Sequence, residues 1–203
     1  MNKSFVIGLT GQTGSGKSTV CNAFMENGFE IINCDLVART VTSDGSDCCK
    51  EIEKVFPDCF DPELHLDRKA LGAIVFDDKE KLEILNGIIF PYINEEIAKR
   101  ISHASENGKK LILLDAPTLF EAGADKLCDM IVSCVALKEL RLKRIMIRDG
   151  LSETQAENRM NSQHSEDFFR DNSDMIIENN GGLSSLAIAA DHAARIIKNK
   201  RIK

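Results

Sequence analysis

The chain has 203 residues, 43% of them hydrophobic, and 26 Lys and Arg against 32 Asp and Glu give a formal net charge of −6. A chain of that length buries roughly 70% of its unfolded surface without disulfides or metals, so one domain spanning 1–203 is expected. The acidic balance excludes a broad polyanion-binding surface and an anionic-lipid face. With no Trp and one Tyr, there are few platforms on which single-stranded bases could stack.

Apolar runs extend for only about five to seven residues, far below the roughly 20 that cross a bilayer. Met1-Asn2-Lys3 leads straight into a strand-like run, without the apolar core of a secretory signal. The expectation is therefore a cytoplasmic protein with neither nucleic-acid nor membrane partners. The seven cysteines are odd in number, include the adjacent Cys48 and Cys49, and form no C-x-x-C, which argues against a disulfide framework. Cys48, Cys49, Cys59 and His65 lack the paired spacing of a zinc site.

In chain order, residues 4–10 read as a short apolar strand, followed by a glycine-rich turn and then by a second strand at 30–34. About 75 residues separate that strand from the third, at 111–115, more than one crossover helix needs. The surplus suggests an inserted subdomain over 58–100, opened by the loop signals Pro57-Asp58 and Asp61-Pro62, with helical periodicity at 82–101. A fourth strand is expected at 130–135 and a helix at 137–148, stopped by Asp149-Gly150. A second helix at 153–160 has Ser152 and Gln155 at capping-box spacing. A fifth strand at 175–178 and a closing helix at 183–197 complete the pattern. Because the strands are apolar at successive positions rather than alternating, both faces of a parallel α/β sheet are expected to be covered by helices.

Gly11-Gln12-Thr13-Gly14-Ser15-Gly16-Lys17-Ser18 fits G-x-x-x-x-G-K-[ST] and follows the first strand directly. A chain of this composition meets the four specified positions by chance on the order of 0.01 times, so the motif predicts a phosphate-binding loop and a P-loop nucleoside-triphosphate hydrolase fold. Glycines let the loop wrap closely enough for backbone N–H groups to point at phosphate oxygens, and the following helix adds its positive N-terminal end. Gly14, Ser15, Gly16, Lys17, Ser18 and Thr19 are the expected ATP contacts. Lys17 would reach the β and γ phosphates, and the Ser18 hydroxyl would ligate Mg²⁺.

Ligands of open parallel sheets sit at the carboxyl ends of the strands, where Asp35 and Asp115 fall. Asp115 has the position of a Walker B acid able to hold Mg²⁺, and Asp35 that of a base for an attacking hydroxyl. Helix capping is the alternative for both. Arg141, Arg144 and Arg148 recur at helical spacing, either as a solvated basic face or as a lid over 138–165 that brings guanidinium charge to the transferring phosphate.

Five landmarks, in order, resemble the dephospho-coenzyme A kinases. Ile7-Gly8-Leu9-Thr10-Gly11 with Gly14-Ser15-Gly16-Lys17-Ser18-Thr19-Val20 looks like the family's opening. Ile32-Asn33-Cys34-Asp35-Leu36-Val37-Ala38-Arg39 resembles D-A-D-x-x-A-R, and Leu66-Asp67-Arg68 with Leu71 and Ile74-Val75-Phe76 resembles L-D-R-x-x-L-x-x-I-V-F. Asp115-Ala116-Pro117-Thr118-Leu119-Phe120-Glu121 is similar to D-x-P-L-L-F-E, and Arg144, Arg148, Gln163 and Asn179-Asn180-Gly181 follow in place. The resemblance implies transfer of the ATP γ-phosphate to the ribose 3′-hydroxyl of dephospho-coenzyme A, with Mg²⁺. It implies Asp35 as the base, Lys17 and Arg144 as catalytic cations, and Arg144 and Arg148 closing over ATP. It also places Asn179 near the adenine, makes Arg39 a substrate contact, and puts Asp67 and Arg68 in a coenzyme-binding insertion. The chain departs from the pattern at Gln12-Thr13, at Asn33, at Phe90 before Pro91, at Thr118 and at Arg141. Another P-loop nucleotide or small-metabolite kinase is an alternative reading. A P-loop switch is a further one, although no N-K-x-D guanine motif is found.

Overall fold

The structure is a computed structural model that describes residues 3–76 and 78–201. Five strands, β1 (Phe5–Gly11), β2 (Glu30–Asn33), β3 (Leu111–Asp115), β4 (Met130–Val135) and β5 (Met175–Glu178), form one sheet in the order β2-β3-β1-β4-β5. Every pairing is parallel, with Phe5 beside Leu111, Ile7 beside Met130, Asn33 beside Asp115 and Val132 beside Met175. Alternate residues feed two cores. Ile7, Leu9, Leu111, Leu113, Val132 and Cys134 pack on one face against α1 (Lys17–Glu26) and α9 (Leu183–Arg201). Val6, Ile112 and Leu114 pack on the other against α2 (Cys34–Val41) and Ile93 and Ile97 of α5 (Lys79–Glu106). Coverage of both faces explains why the strand sequences run apolar without alternation.

The expected strands are all present; the third, fourth and fifth have the expected bounds and the first two have shifted ends. The first runs to Gly11, so the motif's first glycine is the last strand residue. The second stops at Asn33, because the Asn33 side chain accepts the Leu36 N–H at 2.9 Å and starts α2. Asn33 is thus the N-cap of α2, a position that Asn and Asp both suit. The helix expected at 82–101 is longer at both ends. Asp78 caps its start by accepting from the Lys81 N–H at 3.1 Å, and Pro91 is carried inside it. Pro91 has no N–H to give the carbonyl of Gly87, four residues earlier, and Gly87 is exposed.

Between α2 and α5 lie α3 (Asp47–Val55), a 3-10 turn at Pro57–Cys59 and α4 (Arg68–Phe76). They share a third apolar cluster of Cys48, Ile52, Phe56, Cys59, Leu71, Val75 and Leu85, which reaches back to Cys48. After β4, α6 (Lys138–Asp149) ends at Gly150 in the left-handed conformation. The capping box of Ser152 and Gln155 then opens α7 (Glu153–Asn161), and α8 (Glu166–Asp171) follows. Ile145, Ala156 and Met160 form the small core of this segment. All seven cysteines are free thiols, six of them buried. Among the described residues, no helix is long and apolar enough to cross a membrane.

Candidate active site

The phosphate-binding motif occupies the turn from β1 to α1. Gly14 and Gly16 have φ of 78° and 102°, in the left-handed region where side chains are strained. A Cβ on Gly16 would stand 2.5 Å from Asn179 Nδ2 and 2.7 Å from Leu186 Cδ2, and one on Gly14 would stand 2.9 Å from the Arg141 carbonyl. Within the loop, the Ser15 N–H donates to the Gln12 carbonyl at 3.1 Å. Among the described residues, the N–H groups of Gly14, Gly16, Lys17 and Ser18 have no protein acceptor. The Ser15 hydroxyl oxygen is buried and likewise unpartnered. Converging donors without acceptors, at the positive end of a helix, fit the oxygens of a phosphate chain.

Lys17 forms an ion pair with Asp115 at the carboxyl end of β3, and both side chains are largely shielded from water. The Cys21 thiol lies one turn farther along α1. Burial pushes its pKa up to about 11, and the nearby Asp115 charge adds to that rise. Ser18 is exposed in the first turn of α1. Thr19 is half-buried, with its N–H bonded to the Gly16 carbonyl at 2.9 Å. A hydroxyl and a carboxylate at this end of the sheet are the hard oxygen donors that suit Mg²⁺.

Three arginines expected on one helix face are separated by the packing. Arg144 reaches the loop, donating to the Gly14 carbonyl at 3.2 Å, to the carbonyl and Oδ1 of Asn179 at 3.2 and 3.3 Å, and to the Gly181 carbonyl at 3.4 Å. Asn179, 2% exposed, donates from Nδ2 to the Ser15 carbonyl at 2.7 Å and so braces the loop from beneath. Arg148 instead pairs with Asp149 at 2.8 Å, and Asp149 also takes Arg159 at 2.9 Å. Arg141 is only 6% exposed. Its Nε donates to the Ala136 carbonyl at 3.1 Å, and Nη1 is buried without a partner among the described residues. Burial lowers its pKa from the usual arginine value, against an opposing Glu166 charge.

Asp35 lies past the second strand, as expected, in the first turn of α2 and two residues beyond the register partner of Asp115. It is exposed and has no hydrogen-bond or ion-pair partner among the described residues. It lines a narrow cleft with Cys34, Ala38, Ile93, Ala116 and Thr118. Arg39 is exposed, one helical turn beyond Asp35. Arg68 donates to Thr42 Oγ1 and to the Thr42 carbonyl, both at 2.7 Å, which ties the start of α4 to the end of α2. The Asp67 carboxylate accepts the Lys69 and Ala70 N–H groups at 2.9 and 3.0 Å, which makes it a helix cap. Phe90 packs against the core shared by α2 and α5. The structure thus brings Lys17, Asp115, Ser15, Asn179 and Arg144 together, and leaves Arg39, Asp67, Arg68 and Arg148 apart from them.

The family model CoaE, described as dephospho-CoA kinase, matches residues 5–185. A curated dephospho-CoA kinase of Arabidopsis thaliana is 41% identical over 182 residues, covering 89% of this chain and 78% of its own length. A solved Thermus thermophilus protein aligns with a TM-score of 0.80 at 28% identity, over 97% of each chain. A solved dephospho-CoA kinase from Campylobacter jejuni aligns with a TM-score of 0.73 at 28% identity, over 96% of this chain and 98% of that one.

Proposed function

The chain belongs to the dephospho-CoA kinase family and is an ATP-dependent kinase of dephospho-CoA, and we propose that its residues move the γ-phosphate to the ribose 3′-hydroxyl as follows. The phosphate chain of ATP takes the free N–H groups of Gly14, Gly16, Lys17 and Ser18, with Ser15 and Thr19 completing the loop's contacts. Lys17 exchanges Asp115 for the β and γ phosphates, where its charge offsets the negative charge that builds as the bond to the leaving oxygen breaks. Arg144 turns from the Gly14 carbonyl to the same phosphates. Arg148 joins them on leaving Asp149, and Asn179 holds the loop beside the adenine end.

Asp35 accepts the proton of the 3′-hydroxyl as the oxygen attacks phosphorus, because it is the strand-end carboxylate with no partner to satisfy. Arg39, one turn away, and the segment carrying Asp67 and Arg68 would receive the rest of the acceptor, making 58–100 the coenzyme-binding insertion and 138–165 the lid. Ser18 and the released Asp115 would hold Mg²⁺, which when bound neutralises charge on the β and γ phosphate oxygens. A cytoplasmic setting belongs to the same reading, supported by seven free thiols.

One observation supports this reading most strongly: a loop with four N–H groups unsatisfied among the described residues is gripped by Arg144 and Asn179, while the Asp35 carboxylate, two residues past the end of β2, has no partner among them. An ADP-release assay with ATP, Mg²⁺ and a panel of acceptors tests it. Dephospho-CoA is expected to stimulate turnover and to appear as coenzyme A. Stimulation by a nucleoside monophosphate or by shikimate, with none by dephospho-CoA, would overturn it.

A further inference from the structure

Two adjacent residues of the phosphate loop are bonded to two adjacent residues of the junction between α7 and α8. Thr13 donates its N–H to Gln163 Oε1 at 2.7 Å. Beside it, and again with the loop as donor, Gln12 Nε2 donates to the His164 carbonyl at 3.4 Å. One glutamine comes from each side, Gln12 as donor and Gln163 as acceptor, so the two bonds form a two-point clasp between the loop and the base of the α6–α8 segment.

Gln12 is only 4% exposed, and its Oε1 is buried without a partner among the described residues. Nη1 of Arg141 is in the same condition, and the Arg141 backbone packs on Gly14, two residues from Gln12. A buried amide with an unmet arm is costly, so a side chain that merely filled space here would be better apolar. The Gln12 amide is retained where a loop segment must be held in one place.

We propose that Gln12 and Gln163 are positioning residues that lock the phosphate loop to the base of the lid, so that ATP meets N–H groups already aimed at its phosphates. The proposal rests on the ATP-kinase reading and deepens it, since neither side chain touches the phosphates in this role. Holding Thr13 fixes the backbone immediately before Gly14, where the free N–H groups begin. Without the clasp, ATP itself must order the loop, and that cost falls on ATP affinity rather than on the chemical step.

The test is equilibrium ATP binding measured without acceptor, together with steady-state kinetics, for Gln12→Ala, Gln163→Ala and Gln163→Glu, each checked by thermal melting. Both alanine variants are expected to bind ATP about 5- to 20-fold more weakly, with kcat at saturating ATP within about twofold of the parent and KM for dephospho-CoA unchanged. Gln163→Glu keeps an oxygen for the Thr13 N–H and is expected to restore most of the affinity. Gln163→Asn, too short to reach, replaces the alanine variant should that one fail to fold, and is expected to show the same loss. Unchanged ATP affinity in folded alanine variants, equal losses in Gln163→Ala and Gln163→Glu, or a fall in kcat at saturating ATP would each overturn the proposal. Because ATP binding is read without acceptor, a wrong acceptor assignment would leave this result untouched.

Discussion

The proposed nucleotide end and the proposed acceptor end of the cleft are built differently. At the nucleotide end the side chains are tied to one another and to the loop backbone: Lys17 pairs with Asp115, Arg144 donates to the Gly14 carbonyl and to Asn179 Oδ1, and Asn179 donates to the Ser15 carbonyl. At the acceptor end Asp35 and Arg39 are exposed, Asp67 is occupied as a cap and Arg68 holds Thr42. The difference follows from what each end must recognise. A triphosphate needs backbone donors held in place, with Lys17 and Arg144 kept on nearby protein acceptors that they exchange for its phosphates, whereas a proton acceptor needs a carboxylate not already committed to a cation.

That contrast is sharpest at Lys17. Lys17→Ala is expected to lower kcat by about 10²-fold or more, since charge at the transferring phosphate is lost, and to leave Asp115 without its counter-charge. Rapid-quench measurement of coenzyme A formation checks it, and near-normal turnover would undo the assignment of this end. Gly16→Ala comes next, because its Cβ would drive into Asn179 and Leu186 and the residue would stay at a φ that costs about 1–2 kcal/mol. ATP affinity is expected to fall about tenfold or more, and an unaffected dissociation constant would show that the brace by Asn179 does not matter. Arg144→Ala, which frees the Gly14 and Asn179 carbonyls but leaves the loop itself intact, is expected to cost about 10- to 100-fold in kcat/KM for ATP, with KM for dephospho-CoA unchanged.

Smaller effects are expected where a residue supports the acceptor end only indirectly. Asn33→Ala removes the α2 cap and is expected to cost about 1 kcal/mol of stability, read as a shift in the urea midpoint. Asn33→Asp should retain stability, and a loss as large as that of the alanine variant would remove capping as the role of this position. At the quiet extreme are the thiols. Burial pushes Cys34 and Cys128 up to about 12 and Cys21 up to about 11. Their thiolate fraction at pH 8 is therefore small, and these three are expected to resist iodoacetamide in the folded chain, as followed by mass shift. Rapid labelling of Cys21 would show that the helix beside Lys17 opens.

How much of this could be read beforehand varied with the range of the interactions involved. The apolar runs gave the sheet because burial on both faces leaves a local signature, and the glycine-lysine motif gave the loop because its spacing is the chemistry. The ends of β2 and α5 were displaced because capping by Asn33 and Asp78 decides them, and a single side chain outweighs periodicity there. The even spacing of Arg141, Arg144 and Arg148 showed only that they share a helix. Arg144 reaches Gly14 and Asn179, far along the chain, whereas Arg141 turns to the Ala136 carbonyl and Arg148 to the adjacent Asp149, and helical spacing alone does not separate these fates. Gln163 stood out only as a landmark, and Gln12 only as a departure from the pattern. Their bonds join residues some 150 positions apart, and no local rule anticipates such a pairing.

The division between a prebuilt nucleotide end and an uncommitted carboxylate is tested most directly by Asp35→Asn, with ATP binding and single-turnover phosphoryl transfer to dephospho-CoA measured on the same preparation. ATP affinity is expected to stay within about twofold of the parent while the transfer rate falls about 10²-fold or more. An unchanged transfer rate, or a loss that lies in ATP affinity instead, would contradict the assignment of Asp35 and with it the separation of the two ends.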